Sequence, residues 1–99
     1  MVHELAKILI REGMGEQFEQ SFLAAVPLFK RAKGCQSVRL ERSVEEPLRY
    51  LVVVGWTTME DHVVGFRNSA DYGRWRDLVA GYFAAPPLVD HTEILIEGF

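Results

Sequence analysis

The stretch LRYLVVVGW, residues 48–56, alternates in a way that leaves it no polar side. In an extended chain Tyr50, Val52, Val54 and Trp56 fall on one face, and Leu51 and Val53 on the other. A strand that is apolar on both faces needs cover on both. Just before it, Val44-Glu45-Glu46-Pro47 is a turn candidate. Cys35–Arg42 then reads as the other arm of a hairpin, with Val38 and Leu40 opposite Ser37, Arg39 and Glu41. Further back, Glu4–Arg11 alternates as well: Ala6, Ile8 and Ile10 point one way, Leu5, Lys7 and Leu9 the other. Between these strands Met14, Phe18, Phe22, Ala25 and Phe29 recur at helical spacing. Gly34 is placed as the left-handed stop of that helix, and Pro27 predicts a kink or a shortened first helix.

Beyond Trp56 the chain turns helical as far as Phe83. Thr57 with Glu60 fits a capping box, and Met59, Val63, Phe66 and Ala70 form a stripe. Ser69 or Asp71 caps a second segment carrying Tyr72, Trp75, Val79 and Tyr82. Gly81 and Pro86-Pro87 end it, and a last strand is expected over Val89–Glu97. The order is β-α-β-β-α-β: an α+β, ferredoxin-like antiparallel sheet in one domain over residues 1–99. The first and third strands are central in that topology, as the third strand's composition demands. There is helix enough for one face only. The other face therefore predicts a homodimer through the sheet, which Val52→Asp should weaken.

Composition narrows the function. The formal charge is −3 from 14 acidic and 11 basic residues, without a basic block, which argues against nucleic acid as a partner. No run approaches a membrane span, and the opening residues MVHELAKILI alternate too strictly for a signal peptide. The single cysteine, Cys35, suits a reducing cytoplasm.

The region from Trp56 to Phe83 concentrates ring systems around one histidine. His62 precedes Phe66 by four residues, so both project from one side of a helix. It reads either as a base or donor at the mouth of an aromatic pocket, or as a helix-face histidine without a role. His91 shares a strand face with Glu93, and that pair can orient an imidazole. Zinc-like ligand spacing is absent, so no metal is expected. Arg67, Arg74 and Arg76 read as surface partners of Asp71 and Asp77. Arg39, mid-strand, is expected beneath the helices.

Gly34-Cys35, Glu41-Arg42-Ser43, Pro47-x-Arg49-Tyr50, Trp56, Glu60-Asp61-His62, Gly65-Phe66-Arg67-Asn68-Ser69, Trp75-Arg76 and Pro87-x-Val89-x-His91 together form a pattern. With it the chain resembles the antibiotic biosynthesis monooxygenase superfamily of dimeric α/β-barrel proteins, over nearly its whole length. The resemblance implies a ferredoxin-like protomer packed sheet to sheet on its twin, with a pocket between helices and sheet in each subunit. It implies oxidation of small aromatic phenols, quinols or anthrones by O2 without cofactor. His62 would then be the proton acceptor or substrate anchor. Phe66, Tyr72, Trp75 and Phe83 would be pocket walls, Arg39 an anion partner, and His91 a further binding residue. A haem-degrading branch of the family has asparagine, tryptophan and histidine where this chain has Ala6, Phe66 and Arg76. A non-catalytic hydrophobic binding module is the alternative from another class.

Overall fold

In the computed structural model, which describes residues 1–99, the doubly apolar stretch forms β3 (Arg49–Trp56) inside a four-stranded sheet. Its neighbours are β1 (Val2–Leu9) and β2 (Cys35–Arg42), and β4 (Leu88–Glu93) lies outside β1. The order β2-β3-β1-β4, antiparallel throughout, is the expected ferredoxin-like arrangement. Cross-strand register brings Ala6 beside Val52, Ile8 beside Tyr50 and Leu40 beside Val52 on one face. Helix α1 (Gly15–Lys30) lays Phe18, Phe22, Ala25 and Phe29 onto that face. Helix α2 (Ala70–Val79) adds Trp75 and Val79, so the core lies between one sheet face and two helices. No helix is long and apolar enough to cross a membrane.

Several local details differ from the sequence reading. Helix α1 runs through Pro27 to Lys30. The ring removes the amide that would reach the carbonyl of Leu23, a residue on the exposed side of the helix where water can substitute. Gly34 has φ +80°, but it stands in the turn into β2, where its carbonyl accepts from the Thr57 amide at 2.7 Å. The cap of the next segment is Thr58, whose Oγ1 accepts from the Asp61 amide at 3.1 Å. Thr57 instead accepts from Gln36 Nε2 at 2.8 Å. Ser69 caps α2, accepting from the Tyr72 amide at 3.2 Å.

The segment Asp61–Phe66 is π-helical: the Arg67 amide reaches back five residues to the His62 carbonyl at 3.1 Å. A wider turn rotates each side chain less, so the expected stripe does not form. Met59 is exposed and Val63 half-buried, while His62 and Phe66 are buried together.

The last strand stops at Glu93, short of the expected Glu97, because Glu93 pairs with Val2, where β1 begins. Ile94, Leu95 and Ile96 continue past the sheet exposed.

The face opposite the helices is open. Leu5, Lys7, Leu51, Val53 and Leu88 lie on it, and so does Arg39, paired in register with Val53. Arg39 is thus on the wrong side of the sheet to sit beneath the helices. Its Nε meets Glu41 Oε2 at 2.8 Å, along the same open face. Likewise Val52 points into the core, and the open-face position is Val53.

The conformation of Gly34 is reserved for glycine by two constraints. Its φ lies in the left-handed region, and a Cβ there would run into the Asp61 carboxylate. Gly34→Ala is expected to lower the unfolding free energy by about 2 kcal/mol, measured as a fall in the urea midpoint. An unchanged midpoint would contradict this account of the turn.

Candidate active site

Alternation in β1 that buries Ala6 and Ile8 also buries Glu4, an acidic residue on the core face. Glu4 is 8% exposed, and Trp56 and His62 explain how it survives there. Trp56 Nε1 donates to Glu4 Oε1 at 3.0 Å, and His62 Nε2 lies 3.2 Å from the same oxygen. The His62 ring lies nearly parallel to the Trp56 indole, with centroids 5.4 Å apart and planes 16° from parallel. Its Nδ1 is 2.8 Å from Nε2 of His91, the cross-strand neighbour of Glu4. Glu4, His62 and His91 therefore form one contiguous polar cluster, with hydrogen bonds between Trp56 and Glu4 and between the two histidines.

The protonation pattern follows from burial. Desolvation, then the charges of Arg67 and His91, hold the His62 pKa down to about 4. His91 is lowered too, by burial and by Arg67. Burial raises the Glu4 pKa, opposed by the Trp56 hydrogen bond and by Arg67. At neutral pH His62 is thus a neutral imidazole, and its 3.2 Å contact with Glu4 is not an ion pair. Between His62 Nδ1 and His91 Nε2 the tautomer decides which nitrogen donates.

This cluster borders a cavity of about 420 Å³ between the sheet and the second half of the molecule. Tyr72 and Trp75 of α2 and Phe83 line it together with the sheet residues Ala6, Ile8 and Val89. Trp75 is held edge-on by Phe22 and Phe29, at centroid distances of 5.8 and 5.0 Å. Phe83 is fixed by a bridge to Ile10 and by Arg11 Nε, which donates to its carbonyl at 3.0 Å. Arg67 and Arg76 complete the lining, both solvent-exposed and neither ion-paired within the chain. A larger groove beside it, lined by Arg31, Asp61 and Asp71, is polar and holds a closed Arg31–Asp71 pair at 2.7 Å.

The structure brings His62, Tyr72, Trp75 and Phe83 to one cavity, with His91 attached through His62. Phe66 stands behind the wall, packed against Phe29, Trp56 and Tyr72. Arg39 is on the other sheet face. His91 turns to His62 rather than pairing with Glu93. Sequence reasoning overlooked Glu4 and assigned Arg67 and Arg76 to surface pairs that only Arg74 makes. Glu4 carried a readable signal, a charged residue in phase with Ala6 and Ile8; the arginines carried none, since Asp71 takes Arg31 and Arg74 instead.

Against known proteins, residues 1–78 match the family model described as antibiotic biosynthesis monooxygenase. The chain belongs to that family. Within it, a Bordetella bronchiseptica crystal structure described as a candidate antibiotic biosynthesis monooxygenase superposes with a TM-score of 0.94. It is 46% identical, over 96% of this chain and 97% of that one. The uncharacterised Bacillus subtilis protein YczJ is 38% identical over 93 residues, 94% of this chain and 98% of that protein. The fold is shared more distantly by a mutant of SnoaB from Streptomyces nogalater, a cofactor-independent oxygenase. That structure has a TM-score of 0.83 at 13% identity, covering 98% of this chain and 95% of the other. This family member thus carries its buried carboxylate–imidazole chain on a well-populated scaffold.

The depressed His62 pKa has a consequence for stability. The unfolded imidazole, at about 6.5, takes up a proton before the folded one, at about 4. Stability from the neutral folded form is complete above pH 6.5 and is lost as pH falls toward 4, by on the order of 3 kcal/mol. His91 acts in the same direction. Glu4, raised in the folded state, acts in reverse: its contribution is full below the ordinary glutamate range and declines as pH rises through its folded value. Replacing His62 by Phe should flatten the fall of the urea midpoint between pH 6.5 and 4. An equally steep fall in the variant would mean that His62 is not held neutral.

Proposed function

We propose that this protein is a cofactor-independent monooxygenase, acting in the cytoplasm, that oxidises small aromatic phenols, quinols or anthrones with O2. The observation that carries the reading is the buried Glu4–His62–His91 chain bordering a cavity walled by Tyr72, Trp75 and Phe83. Membership of the monooxygenase family supports it, and so does the fold shared with the cofactor-independent SnoaB.

The chemistry needs little from a protein. Loss of a proton makes a phenol or enol electron-rich enough to reduce O2 itself. One oxygen atom then enters the substrate carbon as a carbonyl, and the other leaves as water with two hydrogens: both from that carbon in an anthrone, one from the ring carbon and one from the hydroxyl in a phenol. The Glu4–His62–His91 cluster receives the first proton. The aromatic walls hold the ring and exclude water, which strengthens every charge interaction inside. Arg67 and Arg76 take the part of anion partner that Arg39 is too remote to play. The expected result is O2 uptake above the spontaneous rate when metal-free protein meets a panel of hydroquinones and anthrones. His62→Ala, which breaks the middle of the chain, should lower that rate at least about tenfold. Saturable binding of these compounds without O2 uptake would replace the enzyme by a hydrophobic binding module.

We also propose that the open sheet face packs on a second copy of the chain. Leu5, Leu51, Val53 and Leu88 line that face, and an apolar sheet face gains by cover. Val53→Asp places a charge at its centre and should lower the sedimentation coefficient from dimer to monomer. An unchanged coefficient would count against this interface.

A further inference from the structure

We propose that Glu4 is the residue that takes the substrate's proton, on Oε2, and that His62 is the positioning residue that makes it able to. The inference rests on the reading of the cavity as a phenol-oxidising site, and it changes which residue does the chemistry there.

His62 Nδ1 is engaged with His91 Nε2 at 2.8 Å, and Nε2 stands against Glu4 Oε1 at 3.2 Å. The two oxygens of Glu4 are unequal. Oε1 accepts from Trp56 Nε1–H at 3.0 Å. Oε2 has no protein partner, and no polar side-chain atom in the chain is both fully enclosed and unsatisfied. Since Glu4 itself lines the cavity, Oε2 opens into it. A side chain that is nine-tenths buried, with one oxygen held by Trp56 and the other bare toward a ring-lined space, is aimed at a donor that the chain does not supply.

The step balances simply. The substrate O–H bond, or in an anthrone the C–H bond of its methylene, breaks and an O–H bond forms at Oε2, because Oε1 already accepts from Trp56. The electron pair stays on the substrate as phenolate or enolate. The charge thereby moves from Glu4 into the cavity, where the guanidiniums of Arg67 and Arg76 border it. Burial raises the Glu4 carboxyl, which makes it a stronger base than an exposed glutamate. His62, held at about 4, stays neutral beside Oε1. The titratable and charged groups around Glu4 are His62, His91 across the strand pair, Arg67 and, from β2, Cys35.

Glu4→Gln preserves an acceptor for Trp56 but cannot take a proton. Two readouts separate this assignment from the oxygenase reading beneath it. In O2 uptake with an anthrone, Glu4→Gln should lose at least about 100-fold in kcat at every pH. His62→Phe, which keeps the stacked ring but loses the ring nitrogens, should lose only about tenfold, with its acid limb moved to higher pH. In binding of phenol itself, followed by quenching of tryptophan fluorescence, wild-type affinity should fall as Glu4 protonates, and Glu4→Gln should show no such dependence. Glu4-dependent phenol binding without O2 uptake would end the oxygenase reading and keep Glu4 as the acceptor. Wild-type turnover in Glu4→Gln, or phenol binding with the same pH dependence in both proteins, would overturn the assignment. Failure of wild-type protein to bind phenol would overturn both.

Discussion

A carboxylate buried on the core face of a central strand is the constraint around which this molecule is arranged. Glu4 stands where its neighbours in phase are Ala6 and Ile8, and an unpaired ionised group there would cost several kcal/mol. The Trp56 donor and the neutral imidazole of His62 meet the carboxyl there, and each has structural consequences. Trp56 must end β3 with its indole turned inward, and it is fully buried in doing so. His62 must reach the same oxygen from the helical side, and it does so from a π-helical turn that buries it beside Phe66. The widened turn places one more residue per hydrogen-bonded loop than an α-helix would, and it releases Met59 and Val63 toward solvent.

From this arrangement the cavity follows. The imidazole that meets Glu4 occupies the space between sheet and π-helical segment, and α2 lies beyond it with Tyr72 and Trp75 facing inward. Trp75 packs edge to face against Phe22 and Phe29, so this wall is packed independently of any ligand. One free carboxylate oxygen, two rim guanidiniums and a ring-lined space are what a phenol needs in order to lose a proton and hold the resulting charge. π-Helical turns recur at functional sites, and here the turn sets the imidazole.

Much of the architecture was legible in the sequence because it depends on period-2 and helical patterns. The two apolar faces of residues 50–56 identified a central strand, and the Phe18–Phe29 spacing identified the helix above it. Side-chain direction in β2 was less legible: Arg39 was assigned to the helix side, though its register with Val53 puts it on the open face. Choosing Val52 rather than Val53 as the residue on the helix-free face was the same error, since alternation says which residues share a face but not which face is covered. The end of β4 depended on where β1 begins, which no local pattern in residues 89–97 records. At the site, the aromatic cluster and His62 stood out by type. Glu4 escaped because a lone acid in a strand looks like a solvent-facing residue until the phase of its neighbours is counted.

The central claim is that a phenolic hydroxyl meets Glu4 inside the ring-lined cavity. A crystal structure with a bound, oxidation-resistant phenol tests it most directly. The account predicts the ring between Tyr72, Trp75 and Phe83, with its hydroxyl within hydrogen-bond distance of Glu4 Oε2. A ring seated in the polar groove beside Arg31 and Asp71, or on the open sheet face with the cavity vacant, would contradict it.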